Sequence, residues 1–465
     1  MSDFLSRQSM TGDASKAREP PAGSLSRKKC AERLIVFTRL PQPGRAKTRL
    51  IPSLGAEGAA TVHAALARKT IAAATRLCRL RSCELEIRYA DGSADEMANW
   101  FGAGLNYRAQ EGGDLGERLA QAMATAFDEG AAKVVIVGAD SPDLSVERIA
   151  EAFDSLQHRD VVLGPAFDGG YYLIGLNRPQ SSLFQDIDWG TELVLSRTLQ
   201  QARRERLRVH QLQPLADVDF PEDLVVCRRY ADEFARALPT CRAGWLSIII
   251  PVLNEQAALS ALLPELNQQP RVEVIVADGG SVDDSLEVAR RLGAKVVSSR
   301  KGRGRQLNAG AALASGDTLL FLHSDSKLPA NFRDSIDAVL GRGCVAGAFQ
   351  LAIDDPRRSL RCVEWGVNLR SKWLKSPYGD QGIFVRADTF FALNGFAQWP
   401  LLEDVDLVRR VRAKGSLGIV DATILTSARR WRKLGVIRTT LINHCVIVGY
   451  LLGISPARLA RWYYA

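Results

Sequence analysis

Several charged residues are spaced so that they could do chemistry. In VIVADGGSVDDS, Asp278 closes an apolar run and is followed by Gly279 and Gly280. A carboxylate at a strand end can accept hydrogen bonds from the imide N–H of a uracil or an equivalent base edge, and the small glycines let backbone approach a nucleotide. Taken alone, such an Asp also serves as a turn or cap residue. The basic loop Lys301, Arg303, Arg305 opens a helical stretch, where it either contacts a diphosphate or forms a solvated face. Glu403, Asp404 and Asp406 crowd PLLEDVDLVRRV, which is equally the acidic first turn of a helix and a place to hold a proton acceptor. Nearer the start, LIVFTRLPQPGRAKTRL sets Gly44, Lys47 and Arg49 in a loop after a strand, so that backbone N–H groups and cations could meet phosphates; a bland basic loop is the alternative. Asp168, Gly169, Gly170 and Tyr171 read as a substrate-binding turn or an ordinary hairpin turn.

The elements that must carry these residues alternate in type. Leu34–Thr38, Glu84–Tyr89, Val134–Gly138 and Val161–Gly164 have the apolar character of strands, with an amphipathic stretch over Ala56–Leu80 between the first two. The stretch ALPTCRAG (237–244) breaks the pattern. A second series then begins, with strands expected at Leu246–Ile250, Val272–Ala277, Lys295–Ser298 and Thr318–Leu322. Alternation of this kind means α/β folding on largely parallel sheets, and ligands of such sheets collect at the carboxyl ends of the strands. Two tandem Rossmann-like nucleotide-binding domains follow, over 33–238 and 245–433, with a tail over 1–32 and an amphipathic helical C-terminal segment over 434–465.

The chain's 465 residues are enough for two or three domains, and 46% hydrophobic with 24% charged residues is ordinary globular composition. Net charge is +9, but seven cations and no acid lie between Ala428 and the end, so the excess is local. Without a basic stripe interleaved with aromatics elsewhere, nucleic acid is excluded as partner, and a phosphate-rich ligand or an anionic membrane surface is the better match. The eight Cys form no C-x-x-C pair, so neither a zinc site nor a disulfide framework is expected, and a reduced cytoplasmic compartment fits best. Residues 1 to about 30 lack the apolar core of a signal peptide and read as disordered. Thr439–Ile454 is a charge-free run, too short to span a bilayer. It should pack on the second domain, form a dimer contact or lie in a membrane interface.

The motif order SIIIPVLNE (247–255), VIVADGGSVDDS and GRGRQLNAGAALASGDTLLFLHSDS (302–326) resembles the family-2 inverting glycosyltransferases of GT-A fold, over about residues 246 to 430. The resemblance implies donor binding by Pro251, Asn254, Glu255, Asp278, Gly279, Arg305, Asn308 and Arg430. In the family a D-x-D motif holds a divalent metal on the donor diphosphate. Here the triplet is His323, Ser324, Asp325, which leaves Asp325 as metal ligand, with His323 as a second ligand or a strand-end residue. Mg²⁺ needs few protein oxygens, and Mn²⁺ tolerates an imidazole better. YGDQGIFVRADTFFALNGF (378–396) resembles the acceptor loop and implies an acceptor side at Asp380 and Gln381. PLLEDVDLVRRV resembles the Glu-Asp motif, which implies Asp404 as base, with Glu403 as neighbour or substitute.

In the first half, GGDLGERLAQA (112–122), VGADSPDL (137–144), GPAFDGGYYLIGL (164–176) and DVDFPEDL (217–224) join the Lys47 loop. Together they resemble nucleotidyltransferase-like proteins related to the molybdopterin and 2-phospholactate guanylyltransferases, over about residues 33 to 235. The resemblance implies nucleotide binding by Gly44, Lys47, Arg49, Asp114 and Asp168, and Mg²⁺ or Mn²⁺ on Asp140 and Asp219. PQPGRAKTRL lacks the G-G-x-S/G-x-R-x-G signature of many sugar nucleotidyltransferases. Domains resembling both families occur together in sets assigned to arsenosugar biosynthesis, which implies the same pathway here.

A bifunctional, metal-dependent enzyme is therefore expected. Its second half would transfer a sugar from a nucleotide-diphospho-sugar to an acceptor hydroxyl with inversion, and its first half would bind or make a nucleotide-linked substrate. The alternative is a peripheral inner-membrane transferase with a lipid acceptor and a non-catalytic regulatory first half. Homodimerisation is compatible with both.

Overall fold

The computed structural model describes residues 31–464; the expected tail lies, up to residue 30, outside the described residues. Two α/β units follow each other, each on its own mixed, mostly parallel sheet.

The first sheet holds β1 (Glu32–Arg39), β2 (Glu84–Ala90), β3 (Asn106–Ala109), β4 (Lys133–Gly138), β5 (Val161–Pro165), β6 (Tyr171–Leu176) and β7 (Val209–Gln211), in the order β3-β2-β1-β4-β6-β5-β7. β1 lies parallel between β2 and β4, with Ile35 opposite both Glu86 and Ile136. Its run from Leu34 to Phe37 is buried because helices cover both faces, as continuous apolar strands require. β6 runs antiparallel to β4 and β5. The helix Ile51–Arg81 includes the expected stretch and kinks at Gly55, whose φ of 72° with ψ of 169° only glycine adopts without strain. Where it ends, Ser82 turns into the left-handed region and brings Cys78 beside Cys83, and the two are joined by a disulfide. The expectation of no disulfide framework is thus corrected by this one bond, because a tight helix-to-strand turn aligns two thiols that no C-x-x-C spacing announces.

The second sheet repeats the plan with β8 (Arg242–Val252), β9 (Val272–Asp278), β10 (Lys295–Ser298), β11 (Gly316–Phe321), β12 (Ser326–Lys327), β13 (Ala346–Asp354), β14 (Phe384–Arg386) and β15 (Leu417–Ser427), in the order β10-β9-β8-β11-β14-β13-β15-β12. β8 lies parallel between β9 and β11, and β14 runs reversed beside β11, so β8, β11 and β14 occupy the places of β1, β4 and β6. β8 starts earlier than expected, at Arg242, because the chain pairs with Gly316 through a register shift.

One hydrophobic core joins the halves. Val225 and Phe234 of the first unit pack in the same cluster as Leu307, Phe390 and Phe396 of the second. The 3-10 helix Pro221–Tyr230 lies against the helix Arg303–Ala312. Around that contact the Arg300 guanidinium donates to Glu222 at 2.7 Å, the Gln398 amide to Asp223 at 3.0 Å, and Arg228 to the Ala314 carbonyl at 3.1 Å. At the other end of the second unit the helices Val436–Leu451 and Pro456–Tyr464 pack through Val446 and Leu459 on Leu401 and Leu402. No helix among the described residues is long and apolar enough to cross a membrane.

Candidate functional site

In the second unit the strand ends converge on a pocket of about 260 Å³ lined by Arg303, His323, Asp325, Asp380, Asp404 and Arg430, among others. His323 and Asp325 follow β11, and Glu403 and Asp404 open the helix Glu403–Arg412 behind Leu402, whose φ of 68° turns the chain sharply into it. Asp404 accepts the Gly379 N–H at 2.6 Å and the Val405 N–H at 2.8 Å. A Cβ on Gly379 would stand 3.0 Å from the Asp404 carboxylate and 3.5 Å from His323 Nε2, so only glycine lets the loop after Tyr378 come this close. Glu403 turns the other way. It is 2% exposed, is paired with Arg303, and lines the narrow space behind the pocket instead. Burial holds its carboxyl above the usual range against the pull of Arg303.

Burial, and then the neighbouring Arg303 cation, push the His323 imidazole down to about 4, so it is uncharged and able to ligate a metal. Arg303 lies 3.3 Å from His323 Nε2 and 3.9 Å from Asp404. Burial also pushes Asp380 up to about 6, and its Oδ1 is buried without a hydrogen-bond partner. Arg429 bridges Glu255 at 3.1 Å and Asp325 at 3.2 Å, while Arg430 bonds to Tyr463 and stacks on its ring.

At the end of β9 Asp278 is buried, its carboxylate accepting the Gly280 and Ser281 N–H groups at 2.9 and 3.1 Å. Gly279 is required locally, since a Cβ there would meet the Gln306 amide at 2.9 Å. Asn254, at φ 57°, accepts the Val282 N–H at 2.8 Å and so clamps the loops after β8 and β9 together. Pro251 lies in β8, and Arg305 donates to Gln398 at 3.3 Å.

None of Pro251, Asn254, Glu255, Asp278, Gly279 and Arg305 lines this pocket, and two more expected site residues are taken up by the interior. Asn308 is 1% exposed and its amide exchanges hydrogen bonds with the Phe396 backbone at 2.8 and 2.9 Å. Gln381 is fully buried, donating to the Phe349 carbonyl and accepting from Ser371 and the Tyr378 N–H. A side-chain amide in a motif satisfies a buried backbone as readily as a ligand. In turn, the pocket walls Thr439 and Asn443 lie outside the expected set, and as neutral residues they carry no signal.

In the first unit the loop after β1 and the ends of β4 and β6 enclose about 520 Å³, with a basic recess of about 400 Å³ beside it. Lys47, held at φ 49°, sends its almost buried ammonium between Asp140 at 2.6 Å and Asp219 at 2.8 Å. These carboxylates raise its pKa although burial opposes the charge. Arg49 reaches Asp219 at 3.4 Å. Asp168 accepts the Gly170 N–H in the β5–β6 hairpin turn and also lines the pocket. Asp217 and His63, outside the expected set, line it as well. Burial and then Asp168 push Asp217 up to about 7, and burial lowers the His63 pKa. Asp114 does not reach the pocket: it caps the helix Leu115–Asp128 by accepting the Glu117 N–H. Gly44 forms the loop's turn at φ 82° and is not among the lining residues.

Among the described residues no three His, Cys, Asp or Glu are grouped to hold a metal. The donors that are present still fit a hard divalent cation completed by phosphate oxygens. Asp140 and Asp219 already converge on one cation, the Lys47 ammonium, and Asp325 shares its pocket with an uncharged imidazole.

Residues 247–364 match the family model for glycosyl transferase family 2, and residues 72–191 match that of an uncharacterized protein conserved in bacteria, DUF2064. The second half carries a family 2 glycosyltransferase domain. The first half carries a DUF2064 domain. The 4,4'-diaponeurosporenoate glycosyltransferase of Staphylococcus haemolyticus is 33% identical over 126 residues, covering 25% of this chain and 33% of that protein. Glucosyl-3-phosphoglycerate synthase of Mycobacterium tuberculosis is 35% identical over 103 residues, covering 19% of this chain and 31% of that one. The chain thus spans about a third of the length of these curated relatives. Among solved structures, a protein of Desulfovibrio desulfuricans G20 assigned as a nucleotide-diphospho-sugar transferase is 38% identical with a TM-score of 0.40, over 43% of this chain and 87% of that one. The M. tuberculosis synthase solved with Mn²⁺, UDP and glucosyl-3-phosphoglycerate is 21% identical with a TM-score of 0.29, over 39% of this chain and 70% of that one.

Proposed function

We propose that the family 2 domain transfers a sugar from a nucleotide-diphospho-sugar to an acceptor hydroxyl with inversion, and that the first half binds or makes a nucleotide-linked substrate. The observation that carries this reading is the split between two adjacent carboxylates: Asp404 faces the pocket, while Glu403 is turned away into its pair with Arg303. Asp404 takes the acceptor proton as the hydroxyl oxygen forms its bond to the anomeric carbon. The bond from that carbon to the diphosphate oxygen breaks, and its electron pair leaves with the nucleoside diphosphate. Asp278 and the loop from Arg303 to Arg305 hold the base and diphosphate ends of the donor. Asp325 and His323 would hold Mg²⁺ or Mn²⁺, which supplies charge neutralisation of the leaving diphosphate. Asp380, with its unpartnered oxygen, orients the acceptor.

A thermal-shift panel of nucleotide sugars with Mn²⁺ or Mg²⁺ tests the donor assignment, since a ligand at 100 times its Kd stabilises by about 2.7 kcal/mol. No shift with any donor would remove its support. For the first half, pyrophosphate exchange with nucleoside triphosphates distinguishes synthesis from binding. Binding alone is the second reading, and it is favoured by Lys47, which already neutralises the two carboxylates a metal would need. A place in arsenosugar biosynthesis rests on the fusion of the two domains alone.

A further inference from the structure

The helix that walls the catalytic pocket has an uncovered opposite face. Thr439, Asn443, Val446 and Ile447 of Val436–Leu451 line the pocket. On the other side Ile437 is 76% exposed, Leu441 59%, Val448 53% and Leu452 77%, a stripe at helical spacing. The neighbouring helix Arg358–Leu374 touches this one and carries a second such stripe, with Trp365 69% and Trp373 80% exposed. Trp462 adds a third exposed indole from the last helix. Elsewhere large exposed side chains such as Leu80, Phe167 and Val282 are scattered singly.

We propose that this paired-helix face docks the family 2 domain on an anionic lipid surface. Charge complementarity argues for that occupant. Lys375, Lys433, Arg438, Arg458 and Arg461 are exposed on these helices and their flanking turns, and no ion pair engages them among the described residues. Arg432 and Lys372 are paired, with Asp355 at 3.0 Å and Asp421 at 3.5 Å. Apolar stripes, indoles and an excess of lysines and arginines over acids are what an interfacial helix needs to lie in a headgroup layer. A second copy of this chain would set these cations against their own kind, and a helix of 16 residues is too short to span. Docking would bring the pocket to the lipid, so the acceptor is the hydroxyl of an amphiphile; only this consequence rests on the transfer reading.

The test uses the full chain with phosphatidylcholine vesicles, with and without phosphatidylglycerol, at low and high salt. Binding is expected to the anionic vesicles only, to fall at high salt, and to weaken by about tenfold or more in Trp365→Ser/Trp373→Ser. Calorimetric binding of a nucleotide sugar by the same variant should match wild type, which shows that it folds and keeps the donor site separate from the docking face. Absence of binding to anionic vesicles by the wild type overturns the proposal. So does light scattering that shows a dimer which the double substitution converts to monomer.

Discussion

Each half of the molecule carries an acidic turn at a helix start late in its sequence, FPEDL in the first and LLEDVDL in the second, and the fold puts them to opposite uses. Glu403 and Asp404 open a helix at a pocket, and one of them faces it. Glu222 and Asp223 open a 3-10 helix at the seam between the halves, where Arg300 and Gln398 bond to them. From that seam turn Phe220 stacks on Arg49 of its own half at 4.7 Å and on Arg300 of the other half at 3.8 Å. The same local chemistry, an acid at a helix start, thus faces a pocket only where the second half leaves space in front of it. In the first half the acids that line the pocket lie just upstream, Asp217 and Asp219.

The strongest way to break this contrast is to neutralise each turn in place. Asp404→Asn should lower glycosyl transfer by about 10² to 10⁴, with donor binding nearly unchanged. Asp223→Asn should leave turnover per folded molecule intact and lower stability instead. Steady-state kinetics beside denaturant unfolding separates the two outcomes.

A second contrast lies in buried glutamates on the second strand of each sheet. Glu86 sits among Arg33, Arg88 and Arg108, while Glu273 accepts from Ser247, Ser315 and Lys295 at the start of β9. Burial opposes the Glu273 charge, but these donors win and hold its carboxyl below the usual range. Its stabilisation is therefore present above the ordinary glutamate range and lost as pH falls through the depressed value. Glu273→Ala should cost about 2–4 kcal/mol in denaturant unfolding at neutral pH. The variant's stability should also decline less on acidification.

Smaller effects sharpen the comparison of the two cations that bridge acids. Lys47→Ala should cost about 1–2 kcal/mol, because Asp140 and Asp219 would then face each other, and Mn²⁺ should restore part of that stability. Arg429→Ala removes an exposed bridge and should cost less than about 1 kcal/mol, read in the same thermal scans.

The sequence reading succeeded where one strand carries its own signal. The apolar runs of β1, β4, β8 and β11 and the acids after them were legible because burial and chemistry sit within a few residues. Less was legible where the partner is remote. Asn308 and Gln381 look like ligands by motif, yet they satisfy the backbones of Phe396 and Phe349, which lie far along the chain. Arg429 meets Glu255 across 174 positions, and the Cys78–Cys83 bond depends on one left-handed turn. Short strands such as β7 and β12 carry too few residues to show a period.

The central claim is a single displacement at the anomeric carbon with Asp404 as proton acceptor. The most direct measurement is the anomeric configuration of the first product formed from whichever nucleotide sugar stabilises the protein, followed by NMR at early times. The account predicts an anomer opposite to that of the donor, and no product signal on that timescale from Asp404→Asn. A product that keeps the donor's configuration, or an Asp404→Asn variant that turns over like wild type, would contradict it.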